Sequence, residues 1–315
     1  MIYDLIIVGG GPAGTAAGVY AGRKKLKTLL IAEEFGGQSL VSDGIENWIG
    51  TRKITGFELA KMLEEHVRVY GEVEIKMPEK VVSVKKIALG WEVATDKDDV
   101  YQSKTLIIAS GGKRRRLGIP GEDKFDGKGV SYCSTCDAPI FSGKTVAVIG
   151  GGNAGLEATI DLFPYASKIY LINRKQDLVG DPSTQEEVKK SSKVTIISNA
   201  ESQEILGDKF VSSLKYLDKQ DNQIKELAVE GVFVEIGSVP NSEFMGGLVE
   251  MNSGGEIIVD HKTGKTSHDE IFAAGDVTDE IYKQNNISAG DGVAAALSAY
   301  NYLLNIKKQS PVYEK

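Results

Sequence analysis

The chain has 315 residues, enough for about two domains with a core each. Hydrophobic residues make up 41% and charged residues 26%, which excludes disorder, and no run approaches the ~18 consecutive apolar residues of a transmembrane helix. A formal net charge of −7 offers no dense basic face, so a soluble protein with neither a nucleic-acid nor a membrane partner is expected.

Taken in chain order, Met1-Ile2-Tyr3-Asp4 leaves no room for a basic leader and cleavage site, and a cytoplasmic protein is expected. The apolar run Leu5 to Val8 ends in Gly9-Gly10-Gly11-Pro12-Ala13-Gly14, and a helix-compatible segment, Thr15 to Arg23, follows. A second strand, Thr28 to Ala32, closes a βαβ unit. Gly56 to Tyr70 reads as an amphipathic helix with Leu59, Leu63, Val67 and Tyr70 on one face. Residues 73–104 read as a small antiparallel meander before the buried-type strand Thr105 to Ala109.

The pattern then repeats. Thr145 to Ile149 predicts a strand, Gly150-Gly151-Gly152-Asn153-Ala154-Gly155 a turn into a helix, and Ile169 to Ile172 the returning strand. Strands at Val194 to Ser198, Val211 to Leu217 and Val232 to Glu235 continue this second unit until Gly237-Ser238-Val239-Pro240-Asn241 breaks it. Ile257 to Asp260, the strand-like Ile271 to Ala274 and a helix from about Ser288 to Asn305 complete the tail. Periodicity alone leaves open which unit that tail joins.

A Gly-x-Gly-x-x-Gly loop carries information only in context: a strand before it, a helix N-terminus aimed at a pyrophosphate, and an acid about 20 residues on for a ribose hydroxyl. Gly9, Gly11 and Gly14 meet all three conditions, with Glu33 as the acid. Gly150, Gly152 and Gly155 have the strand and the helix, but the next strand ends Asn173-Arg174-Lys175. Arg174 and Lys175 would attract a ribose 2′-phosphate where an acid would repel it, so the site leans towards NADP over NAD. The competing reading is that both are ordinary solvated charges after a strand.

The 36 glycines are well above the ~7% average, and the only two cysteines are Cys133 and Cys136, in Cys133-Ser134-Thr135-Cys136-Asp137. That spacing lets a disulfide open and close without moving the backbone. A structural zinc wants four ligands, and beyond this pair there are only His66, His261 and His268, so a redox dithiol is the better reading and no metal site is expected. Asp137 is placed to supply or accept the thiol proton, unless it is simply a surface carboxylate after a turn.

Two dinucleotide loops flanking Cys-x-x-Cys-Asp resemble the low-molecular-weight thioredoxin reductase family of pyridine nucleotide-disulfide oxidoreductases. The likeness also takes in Phe35-Gly36-Gly37-Gln38, Ile45-Glu46-Asn47-Trp48, Ile119-Pro120-Gly121-Glu122, Gly275-Asp276-Val277 and Tyr282-Lys283-Gln284. The chain is also similar to the flavoprotein portion of alkyl hydroperoxide reductase, without the additional N-terminal thioredoxin-like unit of that relative.

The resemblance implies an α/β fold of two nested Rossmann-like domains, each a parallel sheet with helices and a small antiparallel meander. Residues 1–112 and 246–315 would bind FAD, and the inserted 113–245 would hold NADPH, or NADH, with the dithiol. It assigns to FAD Gly9, Gly11, Pro12, Ala13, Gly14, Glu33, Gly37, Gln38, Asn47, Val82, Ala109, Gly111, Gly275, Asp276, Lys283, Gln284 and Asn285. To the nicotinamide nucleotide it assigns Gly150, Gly152, Asn153, Ala154, Gly155, Asn173, Arg174 and Lys175.

It further implies that Cys136 faces the flavin, that Cys133 attacks the partner's disulfide and that Asp137 manages the proton. The inserted domain would swing on its crossings near Lys113 and Gly246 so that nicotinamide and dithiol reach the flavin in turn. The partner would be a thioredoxin- or glutaredoxin-like protein, and the enzyme a homodimer. Val179 stands where the family's NADPH motif has its last cation, and Asn173 where it begins with His, which keeps NADH or ferredoxin open as donor. A peroxiredoxin system as acceptor, and a non-catalytic flavin sensor, are the remaining alternatives. Lys113 to Arg116 reads as a solvated loop or as a docking patch for an acidic partner.

Overall fold

A computed structural model describes residues 1–42 and 44–309. The chain divides into two units, Met1–Lys113 together with Val239–Lys315, and between them Arg114–Ser238.

In the first unit β1 (Ile2–Gly10) sends Leu5 and Ile7 to one face and Ile6 and Val8 to the other, all buried. A strand buried on both faces is what a parallel sheet covered on both sides requires. Helix α1 (Pro12–Arg23) opens on a proline, which loses no hydrogen bond in the first turn. It leads into β2 (Thr28–Phe35) and α2 (Gly56–Arg68). At the start of α2 the Thr55 hydroxyl accepts the Glu58 N–H while the Glu58 carboxylate accepts the Thr55 N–H.

Next come β3 (Val73–Lys76), β4 (Val81–Ile87), β5 (Gly90–Thr95), β6 (Val100–Ile108) and the short β7 (Gly112–Arg114). Only β4, β5 and the first half of β6 form the antiparallel meander. Against expectation, β3 is the parallel edge of the main sheet, paired with β2. The α2 crossover brings it there, where Val73 joins the core under α1. Strand β6 continues past the meander and pairs in parallel with β1 from Gln102 to Ile108.

The second unit begins with β8 (Val130–Ser131), the single turn α3 (Ser134–Asp137), β9 (Thr145–Ile149) and α4 (Asn153–Asp161). It goes on through β10 (Lys168–Asn173), α5 (Pro182–Lys190) and β11 (Val194–Ser198). Strands β12 (Ala200–Gly207), β13 (Val211–Asp218), β14 (Gln223–Ala228) and β15 (Gly231–Val234) complete it. A parallel sheet runs β11-β10-β9-β15-β8, and β12-β13-β14 form a separate antiparallel sheet. The predicted strand Val211 to Leu217 is the middle of that meander. Its neighbours β12 and β14 were not predicted; β14, Gln223–Ala228, has no buried residue to mark one face.

The chain returns through β16 (Ser238–Pro240), which pairs with β7, then β17 (Ile271–Ala273) and the long α6 (Asn285–Gln309). The first unit's sheet runs β3-β2-β1-β6-β5-β4, with β17 added in parallel to the second half of β6. The tail thus completes the first unit. The return lies at Val239, earlier than the expected Gly246, because Met245 is fully buried in one core with Val8, Leu106 and Ile257. Helix α6 crosses α1 so closely that a Cβ on Gly292 would stand 2.1 Å from the Ala13 carbonyl oxygen.

Candidate functional site

In the first unit the glycine loop is dictated by close backbone approach. Gly9 has φ +118°, and a Cβ there would lie 2.1 Å from the Ala109 carbonyl oxygen; one on Gly14 would lie 1.9 Å from the Gly9 carbonyl oxygen. Any side chain would push β1, β6 and α1 apart. Gly11 has open space around its Cβ position, so the helix N-terminus stands clear for a ligand.

Beside this loop lies a cavity of about 1160 Å³, larger than the ~300–1,000 Å³ of ordinary ligand pockets. Its lining includes Gly9, Gly11, Pro12, Ala13, Glu33, Gly37, Gln38, Val82, Ala109, Gly111, Asp276 and Asn285. The loop that a Cβ would fill, the acid at the end of β2 and the volume together fit a dinucleotide.

Polar side chains tie the far segment to this cavity. Gln38 Nε2 donates to Asp276 at 3.2 Å, the Ser288 hydroxyl donates to the other Asp276 oxygen at 3.2 Å, and the Ser39 hydroxyl donates to Asn285 Oδ1 at 3.1 Å. Other predicted residues stand one layer back. Asn47 donates to Gln284 at 3.1 Å, and Lys283 braces the 276–278 turn through the Asp276 and Thr278 carbonyls and pairs with Glu256 at 3.0 Å. Gly275 (φ +74°) packs a Cβ position 3.0 Å from Ala13 Cβ. Sequence reasoning missed Lys80, which lines the cavity and pairs with Glu33 at 3.4 Å; it sits in a meander with no motif around it.

The second unit repeats the loop geometry. A Cβ on Gly150 (φ +138°) would lie 2.2 Å from the Glu235 carbonyl oxygen, and one on Gly155 1.9 Å from that of Gly150. Gly152 and Asn153 open α4, but the Asn153 side chain accepts the Asp181 N–H at 2.7 Å. Arg174 and Lys175 are exposed at the end of β10, whereas Asn173 is buried. Its amide donates to the Lys175 and Asp177 carbonyls, both at 2.9 Å, and so organises the loop instead of offering donors to a ligand.

Cys133 and Cys136 form a disulfide with 5.3 Å between their Cα atoms. Cys136 is exposed and Cys133 half-buried. Three carboxylates hold the turn. Asp137 accepts the Ser131 hydroxyl at 2.6 Å, and burial raises its pKa above the usual carboxylate range. Asp161, on α4, accepts the Ser134 hydroxyl at 2.8 Å. Glu235 receives the Ser134 backbone N–H, and burial pushes its pKa up to about 7. Neither Asp161 nor Glu235 carries a sequence signal, because each arrives from a distant element.

Next to the turn, Glu122 is buried and binds the Leu117 and Gly118 N–H groups and the Tyr132 hydroxyl, which accounts for the Ile119 to Glu122 motif as a brace. The basic run is partly consumed: Arg116 pairs with Asp123 and Asp126, and Arg114 faces Glu235. Among the described residues no three His, Cys, Asp or Glu side chains converge as metal ligands, and no helix is long and apolar enough to cross a membrane.

A family model described as pyridine nucleotide-disulphide oxidoreductase matches residues 3–292. The chain is 43% identical over 302 residues to a Bacillus subtilis protein named NADH dehydrogenase, and 44% identical over 306 residues to an alkyl hydroperoxide reductase component of Pseudomonas aeruginosa. Each alignment takes in 96% of this chain but only 59% and 58% of those relatives. Among solved structures, thioredoxin reductases from Giardia duodenalis (TM-score 0.90, 32% identity) and Streptococcus pyogenes (0.89, 34%) match 96% of this chain and 99% of theirs.

Proposed function

Because the chain belongs to the pyridine nucleotide-disulphide oxidoreductase family, we propose that it is a flavin-dependent disulfide reductase acting on a small thioredoxin- or glutaredoxin-like protein. Membership implies FAD and NAD(P)H as cofactors. In our reading the first unit holds FAD through Gly11, Pro12, Glu33, Gln38 and Asp276, and the inserted unit holds the nicotinamide nucleotide through Gly152, Arg174 and Lys175. Bound there, the flavin supplies two-electron exchange between nucleotide and disulfide.

The observation that carries the proposal is the disulfide itself, set in a turn whose neighbouring carboxyl, Asp137, is half-buried and protonated more readily than usual. When the pair opens, a thiolate needs a proton, and a carboxyl of raised pKa keeps one to higher pH than an ordinary carboxyl and can return it. The Ser131 hydroxyl fixes Asp137 beneath the turn, and the Cys136 N–H donates to Cys133 Sγ at 3.2 Å, a contact that would favour negative charge on that sulfur. Half-buried Cys133 and exposed Cys136 give the two sulfurs different access, consistent with one serving the flavin and the other the partner.

For the donor we favour NADPH, on Arg174 and Lys175. NADH is the second reading: Asn173 is spent on its own loop and exposed Val179 offers no charge, and one relative is named for NADH. A peroxide-reducing partner system is the alternative acceptor, on the likeness to the alkyl hydroperoxide reductase component. Two measurements test the proposal. Cys136→Ser should abolish reduction of protein disulfides while the flavin stays bound and reducible; full turnover in that variant would refute the assignment. Anaerobic bleaching of the flavin by NADPH, NADH and reduced ferredoxin, side by side, identifies the donor.

A further inference from the structure

Besides the brace Glu122, the second unit buries a second carboxyl that the reduction scheme above does not use. Glu235 follows β15, is 9% exposed, and belongs to two sites at once. Its main-chain carbonyl oxygen occupies the space where a Cβ on Gly150 would be, so it forms the wall of the nucleotide loop. Its carboxyl receives the backbone N–H of Ser134, the residue next to Cys133. We propose that Glu235 is a positioning and proton-holding residue of the dithiol, joining the nucleotide loop to the redox turn and exchanging its proton in step with Cys133–Cys136. The inference rests on the reading that this pair cycles between disulfide and dithiol.

The groups facing the carboxyl come from three other elements. Arg114 on β7 and the Ser134 N–H on α3 favour its charged form; Asp137 on α3 and Asp161 on α4 disfavour it, as does burial, the largest influence. Two electrons from a dithiol reductant, or from reduced flavin in the cycle proposed above, break the S–S bond; with one proton taken up they leave a thiol and a thiolate. That thiolate adds negative charge beside Asp137, Asp161 and Glu235. Glu235 therefore binds its proton at higher pH in the reduced chain than in the oxidised one. The loop wall and the redox turn thus share one titratable side chain.

The full chain as purified is equilibrated in dithiothreitol redox buffers from pH 5.5 to 8.5, and reduced cysteines are counted by alkylation and mass. Wild type and Glu235→Gln should coincide near pH 5.5, where the carboxyl is neutral, and wild type should be roughly three- to tenfold harder to reduce at pH 8.5. A ratio that stays flat with pH overturns the proposal. So does a pH dependence kept in Glu235→Gln and lost in Asp137→Asn, which would assign it to Asp137. Should Glu235→Gln not fold, carboxyl-carbon NMR of the wild type replaces it. A glutamate titrating near pH 7 in the oxidised chain and higher in the reduced chain supports the proposal, and its absence overturns it. A pair that dithiothreitol never reduces overturns the reductase reading as well, so the two failures are distinguishable.

Discussion

At Gly9 and at Gly150 the same steric demand recurs, a Cβ position 2.1 or 2.2 Å from the carbonyl of a neighbouring strand, and at Gly14 and Gly155 the same 1.9 Å approach to the loop's own first carbonyl. What differs is the surroundings. The first loop is walled by Ala109 and followed by exposed, acidic Glu33; the second is walled by Glu235 and followed by Asn173, turned inward, with exposed Arg174 and Lys175. The glycines set how closely each loop packs on the neighbouring backbone. The wall and the strand end decide what else the loop is coupled to.

The largest test of that division is a matched pair, Gly14→Ala and Gly155→Ala. Each forces a methyl onto a carbonyl, and a displacement of about 1 Å in a binding site costs on the order of a hundredfold. The Gly14 variant should purify without flavin colour. The Gly155 variant should stay yellow while its anaerobic reduction by NADPH or NADH slows by roughly a hundredfold. The opposite pattern in visible spectra and stopped-flow traces would exchange the roles of the loops.

Next in size is the wall. Glu235 has a pKa near 7 folded against an ordinary 4.5, so the folded chain holds a proton that the unfolded chain releases. Stability should therefore fall as pH rises from 4.5 through 7 and level off above, by about 3 kcal/mol. In Glu235→Gln this loss should be absent. Urea unfolding of the two proteins at pH 5 and pH 8 measures it; at the corresponding place the first unit has Ala109, which carries no titratable group.

The strand ends come third. Replacing Arg174 and Lys175 together by Ala should raise KM for NADPH about tenfold and leave that for NADH unchanged. Equal changes for both nucleotides would mean that no 2′-phosphate is read there. Smallest are the helix caps, one per unit: Thr55→Ala at α2 and Asp181→Ala at α5 should each cost about 1 kcal/mol in denaturant unfolding, independently of the cofactors.

The glycine loops, the strands that feed them and the paired cysteines were legible in sequence because each is a local pattern whose residues lie next to one another in the fold. Val73–Lys76 was misread for the opposite reason: four residues of strand look alike in a meander and at the edge of a parallel sheet, and only the α2 crossover decides. Asn173 holds the position of a nucleotide ligand, yet its amide is claimed by carbonyls two and four residues on. Asp161 and Glu235 were invisible because a carboxylate brought to Ser134 from α4 or from the end of β15 leaves no spacing to detect.

The strand that finishes the first unit's sheet, β17, lies beyond the whole of Arg114–Ser238 in the chain. A ribosome therefore delivers the inserted unit entire before Ile271–Ala273 exists. Until then β6 waits with the Leu106–Ile108 stretch unpaired on one side, and α1 waits for α6. Synthesis thus gives the two units an order of birth, in which the one begun second can be completed first.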